Sequence, residues 1–129
     1  MASIRREAIL QAPMHRVWEA LRDVGALHTR LAPGFITDTT LDGEARIVTF
    51  GNGMTVRELI VDIDESQQRV SWAVVGTALT HHNASFQLFD EGSDRTRGVW
   101  IADFLPHEAA SRVAAVIEQG LAAMKQVFS

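Results

Sequence analysis

Few residues in this 129-residue chain can carry chemistry, and it contains neither cysteine nor tyrosine. Disulfides, zinc–thiolate sites, iron–sulfur clusters and cysteine nucleophiles are therefore excluded. Two constellations remain. The first is His82 with Asp103. If Gly92-Ser93 is a two-residue hairpin tip, Glu91 pairs with Asp94. Counting back then sets His82 opposite Asp103, Ala84 opposite Ile101 and Phe86 opposite Val99. A carboxylate beside an imidazole fixes its tautomer and raises its basicity, as a general base requires. The same pair could be a purely structural hydrogen-bonded contact, or lie at a wet rim. Moving the turn by one residue removes the pairing, because side chains alternate along a strand.

The second constellation is Arg46 with Glu58. A three-residue loop at Gly51-Asn52-Gly53 pairs Phe50 with Met54 and sets Arg46 opposite Glu58. A two-residue Asn-Gly turn would instead put them on opposite faces. A buried arginine can neutralise a ligand carboxylate or an enolate. It can equally be an ion pair that satisfies Glu58 inside a sheet.

Other candidates carry less. His81 and His82 are neighbours on a strand and point to opposite faces, so they cannot readily share a metal ion. No other His, Asp or Glu set has ligand spacing, and no metal is expected. Gly51-Asn52-Gly53 lacks the following helix and the Lys-Ser/Thr pair of a phosphate cradle. No serine sits in a nucleophile elbow. His28 reads as a solvated helix residue and Trp18 as core. Trp72 is mid-strand and could stack on a flat ligand. Trp100 has the parity opposite to Val99, Ile101 and Asp103, which places it on the other face of the sheet, under the short helices.

These residues need elements to hold them. Ser3 to Gln11 reads as a strand. Pro13 suits the first turn of a helix carrying Met14, Val17, Trp18 and Leu21 on one stripe. A second short helix runs from Ala26 to Leu31. Strands follow over 35–41, 44–50, 54–63, 70–75, 80–89 and 95–104, separated by Gly-, Asn- and Asp-rich turns. Pro106 opens a long helix whose apolar stripe must cover the sheet. The fold class is α+β: two short helices after the first strand, an antiparallel meander, and one long C-terminal helix in a single domain over 1–129.

Composition narrows the partners. The net charge is −4 with no Lys/Arg cluster, which argues against nucleic acid. No stretch approaches the roughly 20 apolar residues of a membrane span. The first ten residues are interrupted by Arg5, Arg6 and Glu7 and lack the apolar run of a secretory signal, so a cytoplasmic location is expected. Exposed strand edges are compatible with a homodimer.

The segment Ala12-Pro13-Met14-His15-Arg16-Val17-Trp18 resembles the opening of START-related domains, the polyketide cyclase/dehydrase and lipid-transport superfamily. So do Gly43-Glu44-Ala45-Arg46 before a strand, Glu58-Leu59 followed by Asp64, Val99-Trp100-Ile101-Ala102-Asp103-Phe104 before Pro106, and Gly120-Leu121 before Met124-Lys125. The resemblance covers nearly the whole chain. It implies a helix-grip fold, a curved seven-stranded antiparallel sheet around the C-terminal helix, with a cavity between them for a small apolar or aromatic ligand and no cofactor.

The expected strand walls are Val48, Phe50, Trp72, Val74, Ala84, Phe86, Val99 and Ile101. The helix would add Val113, Val116, Ile117 and Gly120, the last leaving room where it faces the sheet. Arg46, Glu58, His82 and Asp103 would be the polar anchors. Three functions follow as alternatives. The leading one is a carrier or sensor. The second is a polyketide cyclase/dehydratase-like enzyme in which His82, oriented by Asp103, takes a proton α to a ketone while Arg46 stabilises the enolate. The third is a chaperone-activator-like interaction domain.

Overall fold

Alternating apolar and polar residues produce seven strands in the computed structural model, which describes residues 2–129. They are β1 (Ala2–Leu10), β2 (Ile36–Asp42), β3 (Ala45–Phe50), β4 (Thr55–Asp64), β5 (Arg69–Val75), β6 (His81–Asp90) and β7 (Thr96–Leu105). All pair antiparallel in one sheet of order β1-β7-β6-β5-β4-β3-β2. The register slips between Ile36 and Asp38 on β2, and between Ile60 and Asp62 on β4. Such bulges bend the strand and increase its twist, which helps the sheet to wrap.

Helix α1 (Met14–Arg22) follows β1 and buries Val17, Trp18, Ala20 and Leu21. The Trp18 indole N–H and the Arg22 guanidinium both donate to Glu65, each at 2.6 Å, tying α1 to the β4–β5 turn. A single wide turn over Leu27–Leu31 comes next. The Ala32 N–H closes it on the Leu27 carbonyl, five residues back, at 2.9 Å. Leu27 and Leu31 are buried.

The long helix α2 (Ala110–Val127) buries Val113, Ile117, Gly120, Leu121 and Met124. Its end is fastened to β1 where the Gln11 N–H donates to the Phe128 carbonyl at 2.7 Å. The Arg6–Glu118 pair adds a second tie at 3.4 Å. The sheet therefore curls around α2, which is the helix-grip arrangement.

The two hairpins that decide the site have different outcomes. At β3–β4 the loop is Gly51-Asn52-Gly53. The Phe50 N–H donates to the Met54 carbonyl at 2.8 Å, and Arg46 stands opposite Glu58. At β6–β7 the tip is not Gly92-Ser93 but the three residues Gly92-Ser93-Asp94, all with positive φ (72°, 48° and 58°). The Glu91 N–H donates to the Arg95 carbonyl at 3.0 Å, and the Asp90 carboxylate accepts the Gly92 N–H at 2.8 Å. This short-range carboxylate contact supports a left-handed tip one residue longer than a Gly-Ser turn. The register therefore shifts by one. His82 pairs with Phe104, and Asp103 pairs with Asn83.

The shift inverts β7. Gly98, Trp100, Ala102 and Phe104 now face inward. A Cβ built on Gly98 would lie 2.4 Å from Phe86 Cζ, so the glycine makes room for that ring. Gly98→Ala is expected to destabilise by about 1–3 kcal/mol through overpacking. In urea unfolding the midpoint should fall with little change in slope. An unchanged midpoint would mean that Phe86 has free space to move into.

Candidate functional site

Between the sheet and α2 lies a cavity of about 860 Å³. Its strand wall comes from alternate residues of β3 to β7, since every second side chain of each strand faces α2. Val48 and Phe50, Val56 and Glu58, Trp72 and Val74, His82, Ala84 and Phe86, and Trp100 all line it. Leu21, Leu27 and Leu31 close it from the side of α1 and the wide turn. The exposed lining residues cluster at Gly34, the 51–55 turn, the 76–78 loop and the Arg112, Val116, Gln119 stripe of α2. These segments mark the mouth.

The wall is aromatic at its centre. Trp100 meets Trp72 edge to face at 5.9 Å and Phe86 at 6.1 Å between centroids. Phe35 and Phe50 form a second such pair at 5.3 Å. These arrangements suit the ring quadrupoles and leave flat faces available to a ligand.

The charged groups of the interior are mutually satisfied. Arg46 Nε donates to Glu58 Oε1 at 2.8 Å, with the two side chains only 3% and 9% exposed. The Arg46 guanidinium also lies over the Trp72 ring at 5.2 Å and reaches the Val24 carbonyl at 3.4 Å. Desolvating such a pair costs several kcal/mol per ion, and the three-way contact of Arg46 offsets it.

His82 is the remaining titratable group in the wall. It packs edge-on to Phe104 at 6.3 Å. Burial holds its imidazole below the ordinary value of 6.5, and the neighbouring His81 acts in the same direction. The folded protein therefore resists protonating His82 where the unfolded chain accepts a proton. Below about pH 6.5 the unfolded state binds more protons, so stability falls as pH drops through that window and levels off below the folded value. His82→Gln should flatten this loss in melting temperatures recorded between roughly pH 7.5 and 5. An unchanged slope would assign the acid sensitivity to other groups.

Several expected site residues lie elsewhere. Asp103 is on the outer face of the sheet, where it accepts the Ser3 hydroxyl at 2.6 Å. It cannot orient His82. Val99, Ile101 and Asp103 line a separate hollow of about 280 Å³ on that face, with Arg5, Ser71 and Ser85. Ile117 packs in the core and does not reach the cavity wall. Gly120 leaves no room for a ligand: a Cβ there would stand 2.7 Å from the Trp100 ring and 3.1 Å from Phe35. Trp100 fills that space from inside, opposite to its expected direction. His28 is half-buried, and its Nδ1 has no partner among the described residues.

Val48, Phe50, Trp72, Val74, Ala84, Phe86, Val113 and Val116 do line the cavity, together with Arg46, Glu58 and His82. Sequence reasoning missed Trp100, Phe35 and the leucines of α1 and the wide turn. Glycine at 98 was an available signal for Trp100, since a mid-strand glycine often marks a close approach on the packed face. Among the described residues no group of three or more His, Asp or Glu is placed to hold a metal ion. No helix there is long and apolar enough to cross a membrane.

The family described as polyketide cyclase/dehydrase and lipid transport matches residues 1–129. No curated protein matches the sequence at a significant level. Among solved structures, the protein XoxI from Bacillus cereus superposes with a TM-score of 0.89 at 18% identity, over 99% of this chain and 96% of that one. A Thermobifida fusca protein gives 0.76 at 28% identity, over 94% and 85%. The Zhui aromatase/cyclase from Streptomyces sp. R1128 gives 0.67 at 19% identity, over 98% and 90%.

Proposed function

The chain belongs to the polyketide cyclase/dehydrase and lipid transport family, and on that premise we propose that the hollow between the sheet and α2 binds one small apolar or aromatic molecule. The observation that carries this reading is the cavity of about 860 Å³, walled by aromatic and aliphatic side chains. Its deep charges are already paired with each other. Ligand sites of this kind are mostly apolar, with a few placed polar groups. The mouth admits the ligand, Trp72, Trp100 and Phe86 contact its flat or aliphatic body, and the His82 imidazole offers a neutral hydrogen-bonding group.

The dehydratase reading depended on a His82–Asp103 dyad, and the register removes it. An unfilled interior favours a ligand over an interaction domain that works through the outer sheet face. A titration with the neutral fluorophore N-phenyl-1-naphthylamine tests the proposal. Saturable binding of one probe per chain is expected, with a dissociation constant on the order of micromolar and quenching of tryptophan emission. Non-saturable, weak partitioning would overturn the proposal.

A further inference from the structure

Two arginines and one glutamate line the cavity: Arg46, Arg112 and Glu58. Arg46 and Glu58 cancel each other. Arg112 is left without compensation. Among the described residues it has no carboxylate within 4.0 Å and no side-chain hydrogen bond, although Glu108 lies one turn before it and pairs with His107 instead. Arg16, Arg69, Arg95 and Lys125 likewise hold no ion pair among the described residues, and of these unpaired cations Arg112 is the one that lines the cavity.

Helix stability does not account for Arg112. It lies in the first turn of α2, which contains no acidic residue, and a cation there opposes the helix dipole. Its neighbours point to a different role. Arg112, Val116 and Gln119 follow i, i+4, i+7 spacing and all line the cavity, so they form one stripe along the mouth. Across the mouth stand Asn52, Thr55 and Thr77, neutral hydrogen-bonding side chains, with Met54 exposed beside them. The hollow thus carries one uncompensated positive charge at its edge, with the aromatic wall beneath.

We infer that the ligand is an amphipathic monoanion, with an apolar body held between the sheet and α2 and an anionic end, such as a carboxylate, at the mouth against Arg112. This inference rests on the proposed cavity function and adds the chemical class of the ligand. Charge complementarity supplies the reason. A neutral ligand would leave Arg112 idle, whereas an anion gains a charge-assisted hydrogen bond without having to enter the apolar interior.

The test displaces bound N-phenyl-1-naphthylamine with decanoate and with decan-1-ol, which share one chain and differ in the head group. Wild-type protein should bind decanoate about five- to tenfold more tightly than the alcohol at low salt, and the preference should shrink as salt rises. Arg112→Gln should abolish the preference by bringing decanoate affinity down to that of decan-1-ol, and Arg112→Lys should retain part of it. Equal affinities in the wild type, or a preference that survives Arg112→Gln, would overturn the inference while leaving the cavity reading intact. Failure of the neutral probe itself to bind would overturn the cavity reading, and the inference with it.

Discussion

Arg46→Leu is expected to destabilise the protein by about 3–5 kcal/mol, because it strands Glu58 as a buried carboxylate without a partner. The wild-type contact is a 2.8 Å ion pair between two side chains almost closed off from solvent. It also holds the guanidinium over Trp72, so the same substitution should loosen the aromatic wall and red-shift tryptophan emission as water reaches the ring. Equilibrium urea unfolding measures the first effect and fluorescence the second. Removing both charges in Arg46→Leu/Glu58→Leu should recover most of the loss, since well-packed apolar residues replace buried pairs at little cost. The coupling in that double-mutant cycle isolates the pair from the packing of either side chain. A loss below about 1 kcal/mol for Arg46→Leu would place the pair in water, the behaviour of an exposed ion pair.

The second large effect concerns binding. Val56 and Val74 line the cavity and are only partly buried, so both have free space in front of them. In Val56→Phe/Val74→Trp the added rings should occupy the hollow rather than displace packed neighbours. N-phenyl-1-naphthylamine should then bind at least about 30-fold more weakly, equivalent to roughly 2 kcal/mol. The urea midpoint should stay near that of the wild type, because filling a void does not carry the overpacking cost of a dense core. Undiminished probe affinity in a folded double variant would locate binding outside the hollow.

Much of this architecture was legible in residue order. Turn chemistry at Asp42-Gly43 and Gly51-Asn52-Gly53, together with alternation along each strand, marked the meander. The Gly-Asn-Gly loop left the Arg46–Glu58 pairing open, because only one of its two plausible lengths puts both charges on one face; the Phe50–Met54 backbone hydrogen bond selects that length. The β6–β7 hairpin was different. Gly92-Ser93 and Gly92-Ser93-Asp94 are both acceptable tips, and both parities of β7 contain large apolar residues: Val99 and Ile101 on one, Trp100 and Phe104 on the other. Alternation alone could not choose between them. The Asp90 carboxylate on the Gly92 N–H and the left-handed backbone at Ser93 and Asp94 decide it.

One residue of register then turned Asp103 outward and Trp100 inward. Gly120 was misread for the same reason, since the space beside it belongs to the Trp100 ring. The wide turn at Leu27–Leu31 contributes two leucines to the wall, and its position over the sheet is a tertiary property that local spacing does not encode.

The most direct test of the central claim is to locate N-phenyl-1-naphthylamine on the isotope-labelled protein by intermolecular nuclear Overhauser effects. Contacts from the probe to the side chains of Trp72, Trp100, Phe86 and Val116 are the expected result. Contacts confined to Leu59, Val61 or Ile101 outside the cavity, with none to the two tryptophans, would contradict it.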